Sequence, residues 1–253
     1  MLTVMSLFSG IGGLDLAAEW AGMQTVMFCE KDTFCQQILK QHWPNVPVVE
    51  GVRNVRGMSV DVVCGGYPCQ PFSVAGSRKG NTDDRYLWPE MLRVVRECRP
   101  TWVVGENVKG HITLGLDTVC DDLESAGYSV QPYCIPACAT GANHERERVF
   151  VVAYSASNGR NDGEKSGRNG QADERSKEGA EQDCNHEGCS SLRLKLDWQG
   201  REAWGWGVEP PPLRVDAGLP FRMDRNKALG NSVRPQQAYP IFAAIKAISE
   251  RMT

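Results

Sequence analysis

The chain has 253 residues, of which 41% are hydrophobic, so it can bury the core of one large domain or of a large and a small one. No apolar run approaches the roughly 18 residues that span a bilayer, and the first residues are typical of a strand rather than a signal peptide. The net charge of −3 neither supports nor excludes a nucleic-acid partner.

The first 150 residues alternate short apolar strands with helical segments. Strands are predicted at 3–8, 25–29, 60–64, 102–106 and 149–153, and helices at 13–21, 31–42, 86–98 and 116–126. The strands are apolar on both faces, as expected for strands that are covered on both sides. This alternation predicts an α/β fold with a doubly wound, mixed, mostly parallel sheet.

The composition changes after residue 154 and divides the chain into four predicted parts. Residues 1–154 form the sheet domain. Residues 155–190 contain almost no large apolar side chains, so they are predicted to be a flexible insertion. Residues 191–225 contain three tryptophans and the run Pro210–Pro212, and are predicted to form a small irregular lobe. Residues 226–253 carry an apolar stripe at helical spacing, which predicts a return to the sheet domain.

The ten cysteines are interpreted as reduced thiols rather than as a disulfide framework. The chain is much larger than a disulfide-stapled domain, and many of the cysteines fall in predicted buried strands or helices. These are Cys29, Cys35, Cys64, Cys98 and Cys120. Cysteines that remain as reduced thiols predict a cytoplasmic protein.

Cys69 follows the apolar strand 60–64 and lies between Pro68 and Pro71. This pattern predicts a thiol at the carboxyl end of a buried strand, on a loop stiffened by proline on both sides. Open α/β sheets bind ligands at that edge, so a thiol there suits nucleophilic attack. The alternative is a small buried hydrophobic residue, which is what most free cysteines are.

The turn after the first strand is rich in glycine, and two acidic residues flank later strands. A glycine-rich turn lets a ligand approach the backbone and the start of a helix. Glu30, at the end of the second strand, is placed to bind two ribose hydroxyls, and Asp61, at the start of the third, to accept from an adenine amino group. Singly these features are common in structural turns, but together they predict an adenosine-type pocket. The turn residues concerned are Phe8, Gly10, Gly12 and Gly13.

Three further segments carry polar groups next to predicted strands or helices. Glu106 ends the predicted strand 102–106, at the edge predicted for Cys69, although a turn acid that caps the next helix is the alternative. Alternation places Arg146 and Arg148 on the same face of a strand. The alternative to a functional role is that this face is a solvated, salt-bridged edge strand. The run 230–232, Gly-Asn-Ser, precedes the last helix and is also compatible with a plain turn and helix cap.

Taken in order, these motifs resemble the C5-cytosine DNA methyltransferases. The matching blocks span nearly the whole chain apart from residues 155–205, and Pro-Cys-Gln followed by Pro-Phe-Ser is the most specific of them. The matching segments are 8–13, 66–70, 106–108, Arg146-x-Arg148 and 230–233. Two departures stand out: His144 replaces the usual first glutamine of the arginine motif, and the region between Arg148 and Gly230 is short for a target-recognition domain.

The resemblance implies a sheet of the S-adenosylmethionine-dependent methyltransferase type and a covalent route. Cys69 would add to carbon 6 of a cytosine flipped out of the duplex, while Glu106 contacts N3 and the exocyclic amine. Arg148 would hold the cytosine O2, and Arg146 would support Glu106 or the thiolate. The implied cofactor is S-adenosylmethionine, with no metal, held by Phe8, Gly10, Gly12, Gly13, Glu30, Asp61, Pro68, Asn231 and Ser232.

The implied partner is double-stranded DNA. Residues 72–80 resemble a loop that closes over DNA, with Ser73, Arg78 and Lys79 meeting phosphates. Residues 191–225 would read the target sequence. We expect a monomer in the cytoplasm of a bacterium or a phage-infected host, with a cognate restriction endonuclease as a functional rather than physical partner.

Two alternatives remain open at this stage. A related branch methylates a cytosine in transfer RNA and carries a Cys-Phe-Thr tripeptide in its recognition region, which does not occur in this sequence. The other alternative is a catalytically impaired DNA-binding relative. Retention of Cys69, Glu106 and Arg148 together argues against it.

Overall fold

The computed structural model describes residues 1–68, 86–155 and 228–252. Cys69, Ser73, Arg78 and Lys79 lie outside these ranges, as do residues 156–227, which hold nearly all of the predicted insertion and the predicted recognition lobe. The described strands are β1 (Thr3–Leu7), β2 (Gln24–Cys29), β3 (Val48–Val49), β4 (Val62–Gly65), β5 (Trp102–Val108), β6 (Ser129–Ile135) and β7 (Arg148–Tyr154). The helices whose bounds lie within the described residues are α1 (Gly13–Trp20), α2 (Thr33–His42), α3 (Trp88–Cys98), α4 (His111–Leu114), α5 (Leu116–Ser125) and α6 (Pro235–Met252).

The seven described strands form one sheet in the order β3-β2-β1-β4-β5-β7-β6. The pairs from β3 through β5 are parallel, whereas β7 runs antiparallel to both β5 and β6. The prediction of a mixed, mostly parallel sheet is therefore confirmed. The chain moves outward from β1 to β2 on one side and returns to β4 on the other, which creates a crevice outside the carboxyl ends of β1 and β4.

Alternate residues of the central strands feed two separate cores, one on each face of the sheet. Met5 and Val63 pack with residues of α3 and α5, while Val4 and Val62 pack with α1 and α6. Because both faces are covered, these strands need apolar residues at every position, and the continuous apolar runs in the sequence reflect this. The residues of β1, β4 and β5 in both cores are almost completely buried.

The strands β3 and β6 and the short helix α4 were not predicted from the sequence. β6 lies at the edge of the sheet, its residues are partly exposed along the whole strand, and it contains Pro132. Proline has no N–H to donate, and it is tolerated in an edge strand because one side of that strand has no neighbouring strand to bond. β3 is only two residues long, so it leaves no periodic pattern to detect. Cys29, Cys64, Cys98, Cys120 and Cys138 are free thiols.

A buried carboxyl group connects α1 to two strands. Asp15 in α1 is completely buried and accepts hydrogen bonds from the hydroxyl groups of Ser6 in β1 (2.9 Å) and Thr25 in β2 (3.0 Å). Burial raises the pKa of Asp15 to about 6, while the two hydroxyl groups favour the charged form and act in the opposite direction. Asp15 is therefore a group whose proton affinity differs between the folded and unfolded chain.

We expect Asp15→Asn to reduce the pH dependence of stability. The pKa of Asp15 is higher in the folded chain, so its stabilising contribution is complete below about pH 4 and is lost as the pH rises through about 6. The unfolding free energy of the wild type should fall by roughly 2–3 kcal/mol relative to the variant between pH 4 and pH 8, as expected for a pKa raised from 3.8 to about 6. Urea unfolding measures this difference. Asp121→Asn, at an exposed position of α5, is the control, and a pH-independent difference for Asp15→Asn would contradict the prediction.

Candidate functional site

The turn between β1 and α1 adopts an unusual backbone. Phe8, Gly10 and Gly12 all have positive φ angles, of 53°, 54° and 84°. Such a conformation is uncommon for a residue with a side chain, and it clusters at functional turns, so Phe8 is the informative member. Among the described residues, no atom lies within 4 Å of the place where a Cβ of Gly10 would stand. The Gly10 side of the turn therefore has room for a ligand.

Glu30 lies beside this turn at the carboxyl end of β2. Its Oε2 accepts a hydrogen bond from the backbone N–H of Gly10, and its Oε1 accepts one from Asp32, both at 2.7 Å. Each carboxylate oxygen has a further lone pair, so the group can still accept from two hydroxyls of a ligand. The structure brings Glu30 and the glycine turn together, as the adenosine-pocket hypothesis requires.

The other two glycines of the turn allow close packing of protein atoms. A Cβ on Gly12 would lie 2.6 Å from the ring of Trp43, and a Cβ on Gly13 would lie 2.5 Å from the carbonyl oxygen of Val233. Only glycine fits at such distances. The contact at Gly13 brings the C-terminal segment with Asn231 and Ser232 to the start of α1. Gly12 and Gly13 thus shape the pocket, and open space for a ligand lies at Gly10 rather than beside them.

The structure corrects the interpretation of Asp61. This residue immediately precedes β4, so it lies at the amino edge of the parallel strands, whereas Glu30 and the glycine turn lie at the carboxyl edge. Its Oδ2 already accepts two hydrogen bonds of 2.7 Å from the backbone N–H and the hydroxyl of Thr3. Asp61 therefore ties the beginnings of β1 and β4 together, and we remove it from the cofactor set.

The best-defined part of the site is a buried ion pair between neighbouring antiparallel strands. Arg148 Nε in β7 lies 2.7 Å from Glu106 Oε1 in β5, and the two side chains are only 9% and 10% exposed. Burial raises the pKa of Glu106 to about 7, although Arg148 and then Arg146 oppose this rise. Burial therefore makes the protonated form of this carboxyl group more accessible than it is for an exposed glutamate, although the neighbouring cations favour the ionised form.

The segment after β4 is fixed beside this pair. A Cβ on Gly66 would lie 2.8 Å from Glu106 Oε2, so the absence of a side chain lets the backbone pass close to the carboxyl group. The side-chain amide of Asn107 donates to the Tyr67 carbonyl at 3.0 Å, and the buried Tyr67 hydroxyl lies 2.9 Å from His111 Nε2. These contacts hold the two residues that lead to Pro68, which is exposed. Cys69, the next residue in the chain, lies outside the described ranges.

Arg146 has a different environment from the one expected. β7 begins only at Arg148, so Arg146 lies in the approach to the strand rather than on it. Its Nη2 donates to the carbonyl oxygens of Leu229, Gly230 and Ser232, at 3.3, 2.6 and 2.9 Å. Arg146 contributes to the electrostatics of Glu106, but its hydrogen bonds hold the 229–232 backbone. His144, two residues earlier, is partly buried.

Sequence reasoning missed two residues that support this site. Asn107 was part of the quoted motif without a role, and the tendency of asparagine to bond nearby backbone could have suggested one. His111 gave no signal at all, because only the fold brings its ring to Tyr67, 44 positions earlier. Burial lowers the pKa of His111, so the neutral imidazole is favoured in this contact.

Comparisons with known proteins agree with this geometry. A family model described as C-5 cytosine-specific DNA methylase matches residues 2–190 of the chain. The Type II methyltransferase M.AquIA of Picosynechococcus sp. is 37% identical over an alignment of 174 positions, and the match covers 59% of this chain and 70% of that protein. The Type II methyltransferase M.HhaI of Haemophilus parahaemolyticus is 32% identical over an alignment of 162 positions, and the match covers 60% of this chain and 49% of that protein.

The likeness extends to solved structures, and it covers part of each protein. The S. pombe Dnmt2 methyltransferase superposes with a TM-score of 0.54 at 21% identity, over 61% of this chain and 51% of that chain. At this identity the likeness concerns the fold. For M.HhaI and several other curated relatives, the match spans less than half of the relative's length. In the described part of this chain, no helix is both long and apolar enough to cross a membrane.

Proposed function

The chain belongs to the C-5 cytosine-specific DNA methylase family, and on that premise we propose that it transfers a methyl group to carbon 5 of a cytosine in double-stranded DNA. The observation that most strongly supports this activity is the buried pair of Glu106 and Arg148 at the carboxyl edge of the sheet. A carboxyl group with a pKa near 7 beside a fixed guanidinium suits a neutral heterocycle that must accept negative charge during the reaction.

The nucleophile in this proposal is the Cys69 thiolate. Carbon 5 of cytosine is a poor nucleophile, and addition of a thiolate at carbon 6 makes it enamine-like. Once carbon 5 has taken the methyl group that the cofactor would supply, with the cofactor leaving as a neutral thioether, loss of the carbon 5 proton to a base and elimination of the thiolate restore the aromatic ring and the free enzyme. Cys69 comes three residues after Gly66, whose backbone lies against Glu106. This support comes from the chain's connectivity, since Cys69 itself is outside the described residues.

Glu106 and Arg148 take complementary roles on the base. A proton shared between the Glu106 carboxyl and N3 reduces the negative charge that thiolate addition moves onto the ring. Arg148, held 2.7 Å from Glu106, can donate to the cytosine O2 from another nitrogen of its guanidinium group. The target carbon is inaccessible inside a duplex, so the base has to leave the helix before it reaches this edge.

The pocket beside Glu30 fits S-adenosylmethionine. Glu30 retains acceptor capacity for ribose hydroxyls, no described residue fills the space beside Gly10, and Ser232 lies at the start of α1, directly after Asn231 in the chain. When bound, the cofactor supplies an electrophilic methyl group on a sulfonium. We assign Phe8, Gly10, Glu30, Pro68, Asn231 and Ser232 to this pocket, with Gly12 and Gly13 shaping its wall.

Recognition of DNA is proposed for parts of the chain outside the described residues. Ser73, Arg78 and Lys79 would contact phosphates, and residues 191–225 would read base edges in the major groove. The names of the relatives as Type II methyltransferases support a functional link to a restriction endonuclease. A monomer remains our expectation for the isolated chain.

Bisulfite sequencing tests the proposed activity directly. DNA from cells that express the chain should show cytosines protected from conversion at one recurring sequence, and the same cells carrying an empty vector should not. Purified protein should also transfer a labelled methyl group to duplex DNA but not to transfer RNA. Label on transfer RNA alone would favour the RNA branch, and no label on either substrate would favour an impaired DNA-binding relative.

The cofactor assignment leads to a second prediction. We expect Glu30→Ala to weaken S-adenosylmethionine binding by roughly 1.5–3 kcal/mol, the range for losing hydrogen bonds to a charged group. The variant would also free the N–H groups of Gly10 and Asp32, which loosens the turn. Isothermal titration calorimetry measures the affinity. Glu124→Ala, at an exposed position of α5, is the control, and unchanged affinity in Glu30→Ala would refute the ribose assignment.

A further inference from the structure

Gln237 is a completely buried polar residue in the first turn of α6. Its Nε2 donates hydrogen bonds to the carbonyl oxygens of Ile135 (2.7 Å) and Arg146 (3.1 Å). Ile135 is the last residue of β6, and Arg146 lies two residues before β7 begins. One side chain of α6 therefore holds both ends of the connection between these two strands.

The side chain of Arg146 in turn bonds the backbone that precedes α6. Its guanidinium group donates to carbonyl oxygens in the backbone that leads into α6, at Leu229, Gly230 and Ser232. Thus α6 holds the backbone of Arg146, and the side chain of Arg146 holds the approach to α6. We call these hydrogen bonds of Gln237 and Arg146 the C-terminal latch.

The latch lies close in sequence to the pair of Arg148 and Glu106. Arg148 follows Arg146 by two residues, and both cations favour the ionised form of Glu106. The separation of 2.7 Å between Arg148 Nε and Glu106 Oε1 depends on where β7 begins. Any shift at the entry to β7 would therefore move both guanidinium groups relative to Glu106.

We propose that Gln237 is a positioning residue that fixes the entry to β7, and so holds Arg148 against Glu106 and Arg146 within electrostatic reach of it. An apolar side chain of similar size would avoid the cost of burying an amide, so the role of Gln237 lies in its two donated hydrogen bonds. The consequence for catalysis rests on the proposed function. The consequence for the geometry at Glu106 does not, and it can be measured without turnover.

Gln237→Met tests the proposal because it keeps the length of the side chain and removes both donors. The carboxyl group of Glu106 should then titrate at a pH higher by roughly half a unit or more, since the cations that favour its charged form are less well placed. The ¹³C signal of this carboxyl group, assigned by its loss in Glu106→Gln, reports the titration in the full chain. The variant keeps the titratable and charged residues that act on Glu106, which are Arg148, Arg146 and Tyr67, so a shift reports their placement rather than their loss.

Gln236→Met is the matched control. Gln236 is the neighbouring glutamine of α6, and its amide oxygen accepts from Arg234 Nε, which is not one of the hydrogen bonds of the latch. It should leave the titration of Glu106 unchanged. Gln237→Asn keeps an amide that is one methylene too short to reach both carbonyls, so it should give a smaller shift in the same direction and serves if Gln237→Met does not fold.

The activity assay provides a separate readout. If the chain methylates DNA as proposed, Gln237→Met should lower kcat about tenfold, as expected when reacting groups are displaced by less than an ångström. An unchanged titration of Glu106 in both Gln237 variants would overturn the positioning role. Absence of methyl transfer by the wild type would instead count against the proposed function, and the titration would still decide on Gln237.

Discussion

Cys69→Ser is expected to lower methyl transfer by at least about 10³-fold, the scale seen when a covalent nucleophile is removed. A hydroxyl group forms its anion far less readily than a thiol, so serine at this position cannot add to carbon 6 at a useful rate. The affinity for S-adenosylmethionine should be nearly unchanged, because in the proposed reaction the thiol acts on the base. Transfer of a labelled methyl group measures the first effect, and calorimetry measures the second.

The control for this variant is Cys138→Ser, which changes an exposed free cysteine in the described part of the chain. It should retain the activity and cofactor affinity of the wild type. Normal turnover by Cys69→Ser would show that the covalent route is wrong. Loss of both turnover and cofactor binding would indicate that the substitution disturbs the pocket instead.

Glu106→Gln should lower kcat by roughly 10²–10⁴-fold, the contribution typical of a positioned general acid or base. Glutamine keeps the shape of the side chain but cannot share a proton with N3 of the base. In the wild type, Arg148 Nε lies 2.7 Å from Glu106 Oε1, so the change also leaves the buried Arg148 cation without its charged partner. Folding therefore has to be confirmed by circular dichroism before the rates are compared.

Glu124→Gln, at an exposed position of α5, provides the same chemical change away from the site. It should leave kcat within about twofold of the wild type. A folded Glu106→Gln protein that also retains wild-type kcat would remove Glu106 from the reaction. The pair of Arg148 and Glu106 would then be interpreted as a structural link between β5 and β7.

The parts of the fold that were predicted correctly depend on burial. β1, β4 and β5 are covered on both faces, so each had to be apolar throughout, and that pattern is visible in the sequence. β6 was missed because its edge position permits polar residues and Pro132. β3 was missed because it pairs over only two residues with β2.

The candidate site follows the same logic, residue by residue. The sequence predicts Glu30 and Glu106 at the carboxyl edge of the sheet, because each lies near the carboxyl end of a strand in its parallel part. Asp61 was misplaced because it precedes its strand, at the opposite edge. The contacts of Gln237 with Ile135 and Arg146 join residues about 100 positions apart, and no local pattern encodes such a contact.

The most direct test of the central claim is a covalent trap with duplex DNA that contains 5-fluorocytosine at the methylated sequence. Fluorine at carbon 5 cannot leave as a proton does, so the thiol adduct should persist after methyl transfer. We predict a stable protein–DNA complex that requires S-adenosylmethionine, with mass spectrometry placing the modified peptide at Cys69. The absence of any trapped complex from protein that methylates ordinary DNA, or a modified residue other than Cys69, would contradict the proposed reaction.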